Sequence, residues 1–514
     1  GMGMLRRTVL LLALGLGACA PKPPEPPRGF VLVKATILDG TGAEPRSANV
    51  RVEGDTIVAV DEKEPPEGYE VIDGSGFTLA PGFIDPHSHG DDELFEHRDA
   101  LAAVSQGITT IVVGQDGGSQ FPLSGFFQEL EKTPVAVNVA SYAGHGTIRE
   151  KVMGEDFRRA ATAEEVEKMR QLLTEEMKAG ALGLGTGLEY DPGIYSERSE
   201  VVTLAREAAS WGGRYISHLR SEDRYYWDAV DEILTIGREA HLPVQISHTK
   251  LAMQNLWGQT DRLLGLLDGA RAQGVEVNAD IYPYTYWHST LTVLFPKRDF
   301  TDRKEAEIAV RQVTTPEGLL IPRYKPEPAY EGKTLAEIAA LRGTDPEQTL
   351  MDLIREAEAM RAKGETDVES VIATSMDEAD IEKLMKWEHM SLSTDGALNG
   401  SHPRGFGTYP RFLGRYVREL QLMPLALAIR KATSLPAEQM GFSNRGRLAP
   451  GFKADLVLFD PKTVIDRATP SDPHAVSTGI DRVWVNGVLV YDDGKTTGKF
   501  PGRPILRESR ESKE

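Results

Sequence analysis

Between residues 83 and 394, short apolar runs alternate with longer segments of helical period: 83–85, 109–113, 135–139, 181–184, 214–216, 243–246, 275–281 and 391–394. Strand-like runs separated by helices predict a parallel sheet, because a parallel connection needs a crossover, and eight repeats predict a (β/α)8 barrel of the α/β class. A ninth run, Val371-Ile372-Ala373-Thr374, competes for one of the eight places, and the pattern alone leaves the surplus run open. From about 295 to 369 the rhythm fails and charge-rich helical stretches such as 349–362 take over. An insertion after the seventh strand is therefore expected, of the kind that often covers an active site.

The two ends follow a different period. Val31-Leu32-Val33-Lys34-Ala35-Thr36 and Thr56-Ile57-Val58-Ala59-Val60 are short strands broken by Gly, Asp and Pro turns, and the pattern returns in Ala454-Asp455-Leu456-Val457-Leu458-Phe459 and Arg482-Val483-Trp484-Val485-Asn486-Gly487. Both ends together are expected to form one small β-sandwich, from residues 29–80 and 436–505, with the barrel at 81–435 and a disordered charged tail at 506–514.

Residues 1–28 read as an address rather than as fold. Arg6 and Arg7 precede an apolar run at 8–17 and then Ala18-Cys19, the layout of a signal peptide too short to span a bilayer. Leu16-Gly17-Ala18-Cys19 resembles a lipoprotein box, which implies a lipid anchor on Cys19. The stretch Pro21-Lys22-Pro23-Pro24-Glu25-Pro26-Pro27 then serves as an extended spacer. The expected location is the bacterial cell envelope, facing the periplasm or the exterior. Composition adds two exclusions. A net charge of -19 argues against nucleic acid as a partner, since phosphate binding needs a basic face. The single cysteine excludes both an intrachain disulfide and a cysteine-rich zinc site, so any metal relies on His and carboxylates.

Those residue types recur where a barrel concentrates its chemistry, at strand C-terminal ends. His87 and His89 stand two apart after Phe83-Ile84-Asp85, and a period of two aims both side chains the same way. His218 follows Tyr215-Ile216-Ser217, His248 follows Val244-Gln245-Ile246-Ser247, and Asp395 follows Ser391-Leu392-Ser393-Thr394. Eleven histidines in 514 residues would rarely place four at strand ends by chance. Four imidazoles and a carboxylate without thiolate suit zinc or a similar divalent ion, one or two per chain. Asp395 is the expected general base and acid for a water that the metal activates.

Ala80-Pro81-Gly82-Phe83-Ile84-Asp85-Pro86-His87-Ser88-His89, with His218, His248 and Asp395, resembles the amidohydrolase superfamily. Ser247-His248-Thr249-Lys250, Asp280-Ile281-Tyr282-Pro283-Tyr284, His402-Pro403-Arg404-Gly405-Phe406-Gly407-Thr408-Tyr409-Pro410 and Gly446-Arg447-Leu448-Ala449-Pro450-Gly451 resemble the N-acyl-D-amino-acid deacylases more closely, over about residues 30–505. The resemblance implies hydrolysis of an N-acyl-D-amino acid, or a related N-acyl amino acid or dipeptide. It also implies that His218 and His248 hold the tighter zinc, that His87, His89 and Asp395 line the adjoining position, and that Lys250, Arg404 and Tyr282, or Tyr284 in its place, bind the substrate carboxylate.

One departure stands out. The family carries a bridging cysteine in a Gly-Asn-Cys-Gly context, where this chain has Gly114-Gln115-Asp116-Gly117. Either Asp116 or Glu189, in Thr186-Gly187-Leu188-Glu189-Tyr190, then bridges the ions. The longer carboxylate of Glu189 is the favoured expectation, and it favours a two-ion centre over a single ion, with the number of ions left open. His145 is expected to be structural. Two other readings stay open on sequence: an amidohydrolase acting on a cyclic amide or as a deaminase, and an anchored metal- or ligand-binding lipoprotein without catalysis.

Overall fold

The computed structural model describes residue 15 and residues 17–508. Most of the apolar run expected to be a signal peptide, and residues 509–514 of the expected tail, lie outside the described residues. Eight parallel strands form the centre: β1 (Phe83–Asp85), β2 (Ile108–Val113), β3 (Asn138–Ser141), β4 (Gly183–Gly187), β5 (Arg214–His218), β6 (Val244–Ile246), β7 (Val277–Ile281) and β8 (Met390–Leu392). Strands β1 to β3 pair in sequence. The chain then turns at Tyr142, and Ala143–Gly144 carries the pairing to β4, from which β5 to β8 follow in order. The ring closes between β8 and β1, where Asp395 N donates to His87 O at 2.9 Å and His89 N to Gly396 O at 2.8 Å.

At the end of β2, a Cβ on Gly114 would lie 2.1 Å from Tyr142 O, so only glycine lets the chain cross the β3 bend there, with φ +76. Below, Ile84, Val112, Ala140, Tyr142, Leu182 and Ile216 fill the barrel floor together with Ala437, Met440 and Phe442. Large apolar side chains buried this way contribute roughly 1.5–3 kcal/mol each. The barrel therefore keeps the chain past residue 435, and the expected boundary at 435/436 moves to beyond Phe442.

The ninth apolar run is not a barrel strand. Glu369–Thr374 pairs antiparallel with Tyr286–Ser289 and Leu319–Tyr324 in a separate four-stranded sheet. The insertion accordingly spans 286–374 rather than 295–369. Its first strand, Tyr-Trp-His-Ser, is half-buried at every position, so no apolar alternation announces it.

The two chain ends join as a sandwich. Thr78–Pro81 pairs parallel with Thr36–Ile37 and antiparallel with Leu456–Phe459 inside a seven-stranded sheet. A four-stranded sheet carrying Phe30, Leu32, Val50 and Ile57 covers it, packed on Leu79, Leu456, Leu458 and Trp484. The C-terminal stretch is pinned rather than loose as far as it is described. Ile505 N donates to Val139 O, and Arg507 donates through Nη1 to Met177 O and Ala181 O, each at 2.7 Å. Among the described residues no helix is long and apolar enough to cross a membrane.

Candidate metal centre

The site is built at the C-terminal ends of the strands. Asp116, His248 and Asp395 each have positive φ, at 58°, 34° and 49°. Non-glycine residues rarely adopt this conformation unless the surroundings hold them there, and such positions cluster at functional sites. Two carboxylates inside the barrel provide that hold for His248 and for the segment leading to Asp395. Asp280 Oδ1 accepts from His248 N and Ser393 Oγ, both at 2.8 Å, while Asp85 accepts from Thr394 N at 3.0 Å, Thr394 Oγ1 at 2.5 Å and His87 N at 3.2 Å. Burial pushes the Asp85 carboxyl up to about 7 in spite of these donors.

Two groups of donor atoms meet at Asp116. On one side, His87 Nε2 and His89 Nε2 lie 3.3 and 2.8 Å from Asp116 Oδ2 and 3.1 and 3.0 Å from Asp395 Oδ1. On the other, His248 Nε2 lies 3.2 Å from Asp116 Oδ1 and 3.0 Å from His218 Nδ1, which is itself 3.8 Å from Asp116 Oδ1. Tetrahedral bonds of about 2.0–2.1 Å to zinc separate ligand atoms by about 3.3 Å, so both groups have the spacing that such an ion requires. The charges agree with this. Burial opposes protonation of His87, yet Asp116 and Asp395 outweigh it and push the ring up to about 10. Carboxylates that draw protons onto neighbouring imidazoles this strongly suit a divalent cation, which neutralises them and leaves the rings free to ligate.

Asp116, not Glu189, stands between the groups. Glu189 sits two residues beyond β4, and its Oε1 lies 3.0 Å from His218 Nε2, the nitrogen opposite the one facing Asp116. This placement does not fit the favoured bridging expectation: Asp116, after β2, meets His87, His89, His218 and His248, whereas Glu189, after β4, meets only the outer nitrogen of His218 among them.

Sequence reasoning missed Glu222. Its Oε2 lies 3.1 Å from His248 Nδ1 and 2.9 Å from Lys250 Nζ, and its Oε1 3.4 Å from His218 Nε2. His218, Glu222 and His248 therefore form a second cluster that could hold a metal. The Lys250 ammonium, 2.9 Å from both Glu222 and His248 Nδ1, already puts a positive charge on that side, so the Asp116 side is the better cation site. Glu222 instead holds the outer nitrogens of two imidazoles. Its only trace in the sequence is a position four residues after His218.

The expected carboxylate binders meet at the Tyr282 ring, with Lys250 Nζ 5.2 Å and Arg404 Cζ 4.7 Å from its centre. All three are buried, and Lys250, though tied to Glu222, lines the His218-side cavity together with Tyr282, while Arg404 lines the His89-side cavity. Arg404 Nη2 pairs with Asp395 Oδ2 at 3.2 Å, but its Nε and Nη1 have no partner, and neither has Tyr282 Oη. Tyr284 Oη reaches Pro403 O at 3.5 Å, and its ring packs on His402 away from the cleft. A cavity on the His218 side and a more open one on the His89 side share Tyr190, His288, Ser289 and Asp395 as lining. Tyr190 and His288 carried no signal in the strand-end pattern. His145 meets Glu200 at 2.5 Å beside Arg149, outside both cavities, in agreement with a structural role.

Comparison with known proteins places this architecture. The model of the amidohydrolase family matches residues 70–317 and 325–491. The chain is 35% identical to a D-aminoacylase of Alcaligenes xylosoxydans xylosoxydans over 94% of its own length and 98% of that protein. A crystal structure of N-acyl-D-glutamate deacylase from Bordetella bronchiseptica, complexed with zinc and a phosphonate inhibitor, superposes with a TM-score of 0.83 at 35% identity. It covers 94% of this chain and 100% of that one. A D-aminoacylase structure concerned with its binuclear metal centre gives the same values. With the barrel, its strand-end histidines and matches over most of its length, the chain belongs to the amidohydrolase family.

Proposed function

We propose that the protein hydrolyses the amide bond of N-acyl-D-amino acids, using zinc held at two positions that share Asp116. The observation that carries this reading is the pairing of two donor groups around Asp116 with unpartnered Arg404 and Tyr282 atoms in the same cleft. The ligands proposed are His87, His89 and Asp395 on one side and His218 and His248 on the other. Glu189 is left outside the set.

Zinc, when bound, polarises the amide carbonyl and makes the attacking water acidic. Asp395 accepts the water's proton and returns it to the leaving nitrogen. Burial disfavours its charge, but Arg404, His248 and His87 outweigh burial and hold its carboxyl well below the usual range, so it is ionised and ready to accept. Arg404 offers Nε and Nη1 to the substrate carboxylate, with Tyr282 Oη beside it. Lys250, which lines the same cavity as Tyr282 with its Nζ 5.2 Å from the ring centre, adds positive charge there. A cyclic amide or nucleobase without a free carboxylate leaves these donors unused, which favours the deacylase reading over amidohydrolase chemistries on such substrates. The relatives' substrates point the same way.

The test is a screen of the zinc-loaded protein against N-acyl-D- and N-acyl-L-amino acids and dipeptides. Release of D-amino acids supports the reading, and activity confined to L-substrates overturns it. We also propose anchorage in a bacterial envelope through Cys19, which is exposed ahead of the proline-rich spacer. Metabolic labelling with a fatty acid, lost in Cys19→Ala, tests that.

A further inference from the structure

We propose that His288, on the first strand of the insertion, is a substrate-binding residue that hydrogen-bonds the substrate carboxylate beside Arg404. The inference rests on the deacylase reading above and adds a residue that neither the strand-end pattern nor the motifs supply.

His288 lines both cavities, at the junction where Asp395 also stands. Its Nε2 is buried and has no partner, like Arg404 Nε and Nη1 and Tyr282 Oη. A buried polar atom left unpaired costs about 1–3 kcal/mol, so four of them around one cleft mark a place that a polar ligand completes. The strand that carries His288 is held in place by its neighbours. Tyr286 O accepts from His402 Nε2 at 2.8 Å, Tyr286 stacks on His402 with centroids 4.7 Å apart, and Trp287 Nε1 donates to Ser375 Oγ at 2.6 Å. His402 Nδ1 in turn accepts from Arg404 N at 2.9 Å, so one imidazole holds both the insertion strand and the Arg404 loop. Burial and the Arg404 charge keep the His288 ring neutral, with its pKa pushed down to about 4. A neutral ring at that position donates one N–H to an anion without adding repulsion against Arg404. The insertion thereby contributes to the site itself and does more than cover it.

The test compares His288→Ala and His288→Gln with the zinc-loaded full chain on N-acetyl-D-leucine and on its primary amide, N-acetyl-D-leucinamide, which lacks the carboxylate. His288→Ala raises KM for the acid roughly tenfold or more, the scale of a lost hydrogen bond to a charged group, with kcat within about threefold. His288→Gln, which keeps a donor, recovers most of this, and the KM or Ki of the amide is unmoved. Zinc content and melting temperature show that each variant is intact. Equal losses on acid and amide, a fall in kcat at unchanged KM, or no change overturns the proposal. If the wild type cleaves neither compound, the deacylase reading fails by itself. Calorimetric binding of N-acetyl-D-leucine then decides the role of His288: weaker binding in His288→Ala supports it, and equal or undetectable binding in both proteins overturns it.

Discussion

Glu222 holds His248 from behind: its Oε2 lies 3.1 Å from His248 Nδ1, the ring nitrogen opposite the one that faces Asp116. The same carboxylate reaches His218 Nε2 at 3.4 Å and Lys250 at 2.9 Å, so three side chains depend on it. Hydrogen bonds of this kind fix the tautomer and aim of an imidazole, and their loss costs roughly 10- to 100-fold in metal affinity. Glu222→Gln is expected to weaken zinc binding on that scale in a chelator competition. Glu189→Gln, which touches His218 alone, is expected to have the smaller effect. The reverse order would show that Glu189 is the main support.

The position of Asp116 predicts a stoichiometry. Its two oxygens address different histidine pairs, so Asp116→Ala removes a ligand from both positions at once, whereas His89→Ala removes one ligand from one. Metal analysis should find two ions per wild-type chain, at most one in Asp116→Ala, and activity down roughly 100-fold or more. Asp116→Cys, which restores an anionic bridging atom, should recover occupancy. Full occupancy in Asp116→Ala would return the bridge to Glu189.

The sequence made some of this centre legible and hid the rest for identifiable reasons. His87, His89, His218, His248 and Asp395 were readable because each closely follows an apolar run, and strand ends converge in a barrel. Asp116 was legible only as one of two candidates, because choosing it over Glu189 depends on where β2 turns at Gly114, a matter of backbone path. Glu222 and His288 sit on loops and on a half-buried strand whose neighbours are distant in the chain, where no period operates. The surplus ninth strand needed the antiparallel partners Tyr286–Ser289 and Leu319–Tyr324 to be placed. The floor residues Ala437 and Met440 lie on a further short helix, Ser434–Met440, with Phe442 just after it, and nothing in its local pattern assigns that helix to the barrel rather than to the sandwich.

Stability should carry a pH dependence remote from the centre. Glu176 Oε2 accepts from Leu123 N at 3.0 Å, at the start of the helix Leu123–Lys132, yet burial pushes its carboxyl from 4.5 up to about 7. The folded state thus keeps a proton that the unfolded chain releases across this window. The stability this proton supplies is complete below about pH 4.5 and is lost as pH rises through about 7. Glu176→Gln, which still accepts from Leu123 N but does not titrate, should remove this dependence. Melting curves from pH 4.5 to 8 check it: the wild type should lose ground to the variant as pH rises, and parallel curves would count against it.

Arg404 should govern both substrate affinity and the acid limb of turnover. Its Nη2 lies 3.2 Å from Asp395 Oδ2 while Nε and Nη1 are buried without a partner beside the cleft, so one guanidinium is placed to serve the proton acceptor and, as proposed, the substrate together. Removing it takes away a charge-assisted pair with the substrate, and Arg404→Met is expected to raise KM for N-acyl-D-amino acids roughly 10- to 100-fold. Asp395 must be ionised to accept a proton. Burial raises its pKa, and Arg404 is the largest influence lowering it. Without Arg404 the pKa moves up, and the acid limb of kcat shifts to higher pH. Arg404→Lys keeps the charge but not the fork, so it should hold the acid limb near its wild-type position while leaving KM high. A pH profile of kcat at saturating zinc separates the two effects. An acid limb unmoved in Arg404→Met would mean that the bound cation, rather than Arg404, sets the ionisation of Asp395.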